Sequence, residues 1–584
     1  MFKRISVRPE SLTLLTSLLL LSLYNVPLWQ HLSSIVPADA GGLGMRLAFG
    51  LMVLAVFNFV LVLVSFRWVF KPVLVVLFLA SSCVAYFMSQ YGVLIDANML
   101  RNVAETDVNE VRDLLSFKLL LFVLLLGVLP SWLLWKLPVR HQPLRRELLG
   151  KLALAIGSVA VLGVVALANY QGLASLFRNH HELRLLVVPS NYLNASYGYV
   201  REQLAVAKAP LRQIGLDARK APAWQGHQRK SLTVLVIGES ARAENFGILG
   251  YPRDTTPLLK AQPGILAFAN VRSCGTETAV SVPCMFSNMG RADYDAARAR
   301  SQEGLLDVLE HAGLSVSWRD NQSGCKGTCD RVAQEDLSHR KDPVLCSGGE
   351  CHDEILLKDL QSYIDQIEDD SVLVLHQMGS HGPDYAKRYP ERFEKFTPVC
   401  TSNALNDCSR ESIVNAYDNS LAYTDYVLSS LIDILRRNQD KLDTAMLYIA
   451  DHGESLGEYN LFLHGTPYLL APDQQKHVAM LGWFSDSYRQ DFALDTGCLA
   501  RERDTPLSQD NFFHSVLGLL QVQTEEYKDG LDLFARCRAP GPAMAGRNHL
   551  RSPQTIVETA PGRYLVAEQG RNRVLELERA VAEP

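Results

Sequence analysis

The hydrophobic positions change their habit near residue 171. Before it, five apolar runs, at about 11–29, 46–66, 72–91, 118–135 and 152–170, each approach the roughly 17–25 residues that a bilayer-spanning helix needs. Lys3, Arg4 and Arg8 precede the first run as in a signal peptide, but the run is long and no small-residue cleavage site follows, so a retained span is expected. Basic residues recur in alternate connections: Lys3, Arg4 and Arg8, then Arg67 and Lys71, then Lys136, Arg140, Arg145, Arg146 and Lys151. Those connections are expected on the cytoplasmic side. Five spans then carry everything after about residue 171 to the far side.

Beyond the spans, residues 172–230 mix amphipathic and polar segments, which predicts a bridging helix and linker at the bilayer surface. From 231 the pattern becomes short β-rich runs alternating with helical stretches. LTVLVIG (232–238), LSVSW after the helix LLDVLEHAG (305–313), SVLVLHQMG (371–379) and TAMLYIADHG (444–453) read as strands, and 412–438 as a long helix. That alternation predicts an α/β domain around a mainly parallel sheet buried on both faces, spanning 231–584 after a transmembrane domain at 1–171. One strand is expected in the Arg-, Pro- and Gly-rich tail, at RYLVAEQ.

Composition sharpens this division. Of 584 residues, 48% are hydrophobic and 20% charged, and the mean hydropathy of +0.03 averages two unlike halves. A net charge of −5 excludes the basic footprint of a nucleic-acid binder. Ten of the 11 cysteines lie beyond residue 270, in the half placed on the far side, which points to disulfides in an oxidising compartment.

Three predicted strands end in polar clusters: Gly238-Glu239-Ser240, His376 to His381, and Asp451-His452-Gly453-Glu454-Ser455. Ligands of open α/β sheets sit outside the carboxyl ends of the strands, so the clusters are expected to converge. Glu239, Asp451 and His452 offer two carboxylates and an imidazole, a donor set suited to Zn²⁺. Strand-end turns also collect such residues without binding anything. A rival is the serine-hydrolase elbow Gly453-Glu454-Ser455-Leu456-Gly457, with His514 downstream and Asp495 or Asp510 as orienting carboxylate. It leaves Glu239, Asp451, His452 and the His376 to His381 cluster unexplained. The acidic connection 93–117 also has two readings. It is either a solvated loop, which spacing alone favours, or a surface helix with Asn102, Thr106 and Glu110 on one stripe.

VLVIGESARAENFGILGYPRDTTPLL (234–259), SCGTETAVSVPCMFS (273–287), HQMGSHGPDY (376–385) and ADHGESLGEYNLFLHGTPY (450–468) closely resemble the membrane phosphoethanolamine transferases that modify lipid A, a group including the colistin-resistance enzymes. The resemblance implies a five-helix transmembrane bundle followed by a periplasmic α/β domain of the alkaline phosphatase and sulfatase type, in the bacterial inner membrane and as a monomer. It implies Thr278 as nucleophile, itself a metal ligand, and Glu239, Asp451 and His452 as ligands of one tightly bound Zn²⁺. His381 and His464 become substrate-side or second-zinc histidines, one of them protonating the leaving group. Asn102, Thr106, Glu110, Ser323 and Lys326 match positions lining the lipid-substrate site. The donor is then phosphatidylethanolamine and the acceptor a lipid A phosphate, with core sugars or periplasmic glucans as alternative acceptors. A membrane-tethered sensor without turnover is the alternative of a different class. Ser281-Val282-Pro283-Cys284-Met285 lacks the Arg of the C/S-x-P-x-R sequence that sulfatases typically carry. Four disulfides match the family pattern, Cys274–Cys284, Cys325–Cys329, Cys346–Cys351 and Cys400–Cys408, which leaves Cys498 and Cys537 as a fifth pair.

Overall fold

The computed structural model describes residues 6–106, 111–112, 114–207, 209–227 and 229–538, and the backbone of 553–560, 563–568 and 573–578. Among the described residues, four helices are long and apolar enough to cross a membrane: α3 (Ala40–Val64), α4 (Phe70–Tyr91), α6 (Phe117–Lys136) and α7 (Leu144–Ala168). The first expected span differs. It is broken into α1 (Pro9–Leu23) and α2 (Val26–Ile35), bent by 60°, and the pair together makes a fifth candidate. The break has a local cause. Asn25 turns its side chain onto the Leu20 carbonyl at 2.8 Å and onto the backbone of Val188 at 2.7 and 2.9 Å, and Pro27 stands in the first turn of α2.

At one end of the bundle, Lys71 donates to the Leu137 carbonyl at 2.8 Å and Lys151 to the Ser65 carbonyl at 2.6 Å. Basic residues thus meet carbonyls at and just beyond the C-terminal ends of α6 and α3, where the helix dipole favours cations. α4 runs from that end to Tyr91 and Gly92, which meet the polar half of the chain. There α5 (Ala97–Glu105), capped by the Asp96 carboxylate, lies against α9 (Ser190–Val206), and α8 (Tyr170–Asn179) follows α7.

The polar half is built on an eight-stranded sheet. Its strands are β1 (Lys230–Gly238), β2 (Leu266–Arg272), β3 (Ser315–Asp320), β4 (Ala333–Asp336), β5 (Ser371–His376), β6 (Leu442–Ala450), β7 (His477–Phe484) and β8 (Leu507–Ser508). Their order is β8-β2-β7-β6-β1-β5-β3-β4. All neighbours pair parallel except at β7, which is antiparallel to both β2 and β6. Seven of the eight strands run the same way, as a mainly parallel sheet requires, and the one reversed strand, which makes the sheet mixed, is one the apolar runs did not single out. β1, β5 and β6 are buried along nearly their whole length, as continuous apolar runs covered on both faces must be. α11 (Leu305–His311) and the 28-residue α12 (Arg410–Arg437) supply cover. The five disulfides join Cys274 to Cys284, Cys325 to Cys329, Cys346 to Cys351, Cys400 to Cys408 and Cys498 to Cys537. The tail forms a three-stranded antiparallel sheet, Pro553–Ala560, Arg563–Glu568 and Arg573–Glu578, where a single strand was expected.

The two apolar cores meet at one hairpin. Ser455–Leu456 pairs antiparallel with Phe462–Leu463, and Phe462 and Leu463 touch both the sheet's core and the bundle's core. Gly92 makes this approach possible. Its φ is 72°, and a Cβ there would stand 2.8 Å from the Leu461 side chain.

Candidate active site

Register alone brings the expected clusters together. Gly238 pairs with Ala450 and Ile237 with His376, so Glu239, Asp451 and the 376–381 segment leave adjacent strands at the same end of the sheet. The turn after β1 is tight: a Cβ on Gly379, whose φ is 54°, would lie 2.6 Å from the Glu239 carbonyl oxygen. Thr278 opens α10 (Thr278–Met285), with Cys274–Cys284 tying the preceding loop to the last turn. Its Oγ1 donates to Glu239 Oε2 at 2.9 Å and lies 3.3 Å from His452 Nε2. His452 Nε2 is in turn 3.3 Å from Glu239 Oε1 and 3.4 Å from Asp451 Oδ2. Glu239, Asp451 and His452 are wholly buried.

This arrangement fits a metal ion. One ligand atom from each of Glu239, Asp451 and His452 lies within 4.8 Å of the others. His452 Nδ1 faces the Gly453 carbonyl at 2.9 Å, which sets the tautomer that frees Nε2 as a ligand. Asp451 Oδ2 is buried with no hydrogen-bond partner, a cost that a cation removes. The electrostatics agree. Burial works against the charge of His452, but the Asp451 and Glu239 carboxylates outweigh it and push the imidazole up to about 10. Burial and the neighbouring Glu239 raise Asp451 to about 6. Burial opposes the charge of Glu239 too, yet His452 holds its carboxyl well below the ordinary range. The cluster holds positive charge tightly, and a metal can supply it in place of the proton.

A second histidine flanks the first. His464 follows the hairpin shared by the two cores, and its ring lies 4.4 Å from that of His452 and 5.5 Å from that of His381. Its Nδ1 is 2.9 Å from Glu454 Oε2, and Tyr385 donates to Glu454 Oε1 at 2.6 Å. His452, Glu454 and His464 make a second group of converging ligand atoms. Burial and His452 disfavour charge on His464, but Glu454 prevails and raises it. Glu454, Tyr385 and Gln322, whose Nε2 donates to Glu239 Oε2 at 3.0 Å, were not among the candidates from sequence. Glu454 lies inside the Asp451 to Ser455 cluster and was legible there, whereas Tyr385 and Gln322 are ordinary loop residues until the fold closes.

The loop positions divide. Lys326 donates to the Ser323 hydroxyl at 2.7 Å and reaches the Glu105 carbonyl at the end of α5 at 3.3 Å. Asn102 sits in the last turn of α5, and its carbonyl accepts from Thr106 Oγ1 at 2.6 Å. Thr106 has extended backbone, so the helix stops at Glu105 and Thr106 does not continue a helical stripe from Asn102. Glu110 lies outside the described residues. Glu105 forms an ion pair with Arg300, fastening α5 to the sheet domain.

The hydrolase rival fails on geometry. Ser455 lies in a hairpin strand and accepts from Gln475 at 2.8 Å, while His514 sits in α13 (Asp510–Leu519) and accepts from the Lys528 backbone at 3.2 Å.

Comparison with known proteins agrees with this geometry. Residues 231–522 match the family described as Sulfatase, and residues 53–204 match Phosphoethanolamine transferase EptA/EptB. The phosphoethanolamine transferase EptA of Escherichia coli K12 is 41% identical over 92% of this chain and 99% of its own length. The chain belongs to the phosphoethanolamine transferase family. Another relative, the phosphatidylethanolamine transferase Mcr-1 of Escherichia coli, is 36% identical over 90% of this chain and 97% of its own. Among solved structures, the integral membrane lipooligosaccharide phosphoethanolamine transferase A of Neisseria meningitidis superimposes with a TM-score of 0.89 at 35% identity. That match covers 92% of this chain and all of the other. In this family member, the bundle and the sheet domain are parts of one transferase architecture.

Proposed function

We propose that this transferase moves phosphoethanolamine from phosphatidylethanolamine to a phosphate of lipid A through a covalent intermediate on Thr278. The observation that carries the reading is the Thr278 hydroxyl, buried at the head of α10 and 2.9 Å from a carboxylate of the Glu239, Asp451 and His452 cluster. Glu239, Asp451 and His452, with Thr278, would hold Zn²⁺. When bound, the ion supplies positive charge that favours an ionised hydroxyl and offsets charge on the phosphoryl oxygens.

In the first half-reaction Thr278 Oγ1 forms a bond to the donor phosphorus and the bond to the diacylglycerol oxygen breaks. Glu239 Oε2 accepts the hydrogen bond of the hydroxyl and orients Oγ1, and the hydroxyl proton leaves to solvent before attack. His464, held by Glu454, gives a proton to the departing alkoxide, with His381 beside it. In the second half-reaction a lipid A phosphate hydroxyl oxygen forms a bond to the same phosphorus and its proton passes to His464, while the bond from phosphorus to Thr278 Oγ1 breaks and Thr278 is regenerated. The added ammonium group lowers the negative charge of the acceptor surface, which weakens binding of polymyxins and other cationic peptides. Asn102, Thr106 and Glu110, with Ser323 and Lys326, serve the lipid headgroup.

The division of labour follows. Residues 1–171 anchor the enzyme in the inner membrane, 172–230 bridge, and 231–584 act in the periplasm, as a monomer. Lipid A from cells expressing Thr278→Ala should lack the added phosphoethanolamine seen with the wild type by mass spectrometry, at equal protein content. Wild-type modification by that variant rejects the covalent route, and no modification by the wild-type chain rejects lipid A as acceptor.

A further inference from the structure

We infer that His31, His180 and Glu182 form a second transition-metal site, at the end of the bundle that faces the sheet domain. The three come from distant parts of the chain. His31 lies on α2, and His180 and Glu182 lie just after α8. His31 Nε2 and His180 Nδ1 converge on one oxygen, Glu182 Oε1, at 3.1 and 2.9 Å. One ligand atom from each lies within 4.8 Å of the other two.

The scaffold holds these residues in place without help from the cluster. Asn25 bridges the α1–α2 elbow to Val188 through two backbone hydrogen bonds, at 2.7 and 2.9 Å. Leu28 and Leu32 of α2 and Leu183 beside Glu182 are fully buried in the bundle core. A site whose backbone is fixed by packing loses little entropy on binding an ion. The donor chemistry selects the ion. Two imidazoles and one carboxylate suit Zn²⁺ or Cu²⁺, whereas Mg²⁺ and Ca²⁺ prefer all-oxygen sets. Side-chain exposures of 35% for His31, 30% for His180 and 16% for Glu182 leave room for water to complete the coordination. The site is therefore exchangeable with the surrounding solution, unlike the buried cluster at Glu239. An ion there replaces two imidazole N–H contacts with bonds joining α2 to the segment that leads into α9, and so locks the elbow to the bridge.

Zn²⁺ titration of the purified full-length protein tests this, with bound metal counted after removal of excess. Wild type should hold one more equivalent than the His31→Ala, His180→Ala double variant. That variant should keep the equivalent lost by Asp451→Asn. Glu182→Gln, which keeps shape and hydrogen bonding, should weaken the extra site at least tenfold, so the test does not depend on the double variant folding. Cu²⁺ loaded into Asp451→Asn should show hyperfine coupling to two imidazole nitrogens by electron paramagnetic resonance that is lost when His31→Ala and His180→Ala are added. Equal metal content and equal affinity in wild type and Glu182→Gln, or no nitrogen coupling, overturns the inference.

Discussion

The bundle and the sheet domain use apolar residues for opposite ends. Along β1, Leu232, Val234, Leu235, Val236 and Ile237 are at most 1% exposed, because parallel strands covered on both faces have nowhere else to put them. On α7, Leu149 is 67% and Leu167 81% exposed, and on α6 Trp132 is 55% exposed. The same residue types that build a core in one region present a surface for lipid tails in the other. The bundle itself is graded: half of the apolar window of α3 is buried, against 11% for α6 and for α7. Hydrophobicity therefore marks what must leave water, and only the surroundings decide whether protein or lipid receives it.

The comparison is sharpest at the cluster of Glu239, Asp451 and His452, where buried polar groups stand at the ends of the most apolar strands. Asp451→Asn should lower transfer by more than about 100-fold and remove bound zinc, because it replaces a proposed ligand within a set that acts as a unit. Metal analysis beside single-turnover assays checks both. A variant with full zinc and wild-type turnover would break the proposed ligand set.

Paired truncations test the contrast directly. Leu235→Ala in β1 should cost about 3 kcal/mol through lost burial and a cavity, whereas Leu149→Ala on the outer face of α7 should change stability by no more than about 0.5 kcal/mol. Thermal unfolding in one detergent gives both values, and equal costs would mean that α7 faces protein rather than lipid.

Acid should weaken the sheet domain through His514. Burial and the nearby Lys528 hold its imidazole down, at about 4 against an ordinary 6.5. A group with a lowered value resists protonation when folded. Its contribution is complete above about pH 6.5, is lost as pH falls toward 4, and at 1.36 kcal/mol per unit amounts to at most about 3 kcal/mol. His514→Gln should flatten the pH dependence of the unfolding midpoint across that window. An unchanged slope would show that His514 is not the group responsible.

The smallest effect is expected at the seam between the regions. Arg300→Ala removes the ion pair with Glu105, and such a pair is worth about 0.2–1 kcal/mol, or about a 1.4- to five-fold drop in transfer from membrane-embedded donor. A soluble short-chain donor should be used equally well by both proteins. A loss with both donors would place the effect in the catalytic cluster instead of in the docking of α5.

Legibility from sequence followed the range of the interactions. The strand-end clusters were readable because each is a short run of polar residues terminating an apolar one, and parallel register then makes their ends coincide. The break at Asn25 was not readable, since it depends on Val188, 163 positions away, to receive the amide. The reversed β7 was also hidden, because its direction is a property of its neighbours and leaves no mark on periodicity. Thr106 shows why spacing left two readings open: Asn102, Thr106 and Glu110 are spaced for a helix, but Thr106 has extended backbone and the helix ends at Glu105.

By itself the sequence determined where most apolar segments begin and end, that the cysteines gather in the polar half, and which residue types gather at the strand ends. These follow from local composition and from rules that act within one element. Only the tertiary structure decided that Phe462 and Leu463 belong to both cores, that Glu454 holds His464 over His452, and that Lys326 and Arg300 meet the end of α5. Each is a contact between segments far apart in the chain. Such contacts depend on packing that places whole elements at once, and no window of sequence contains that information.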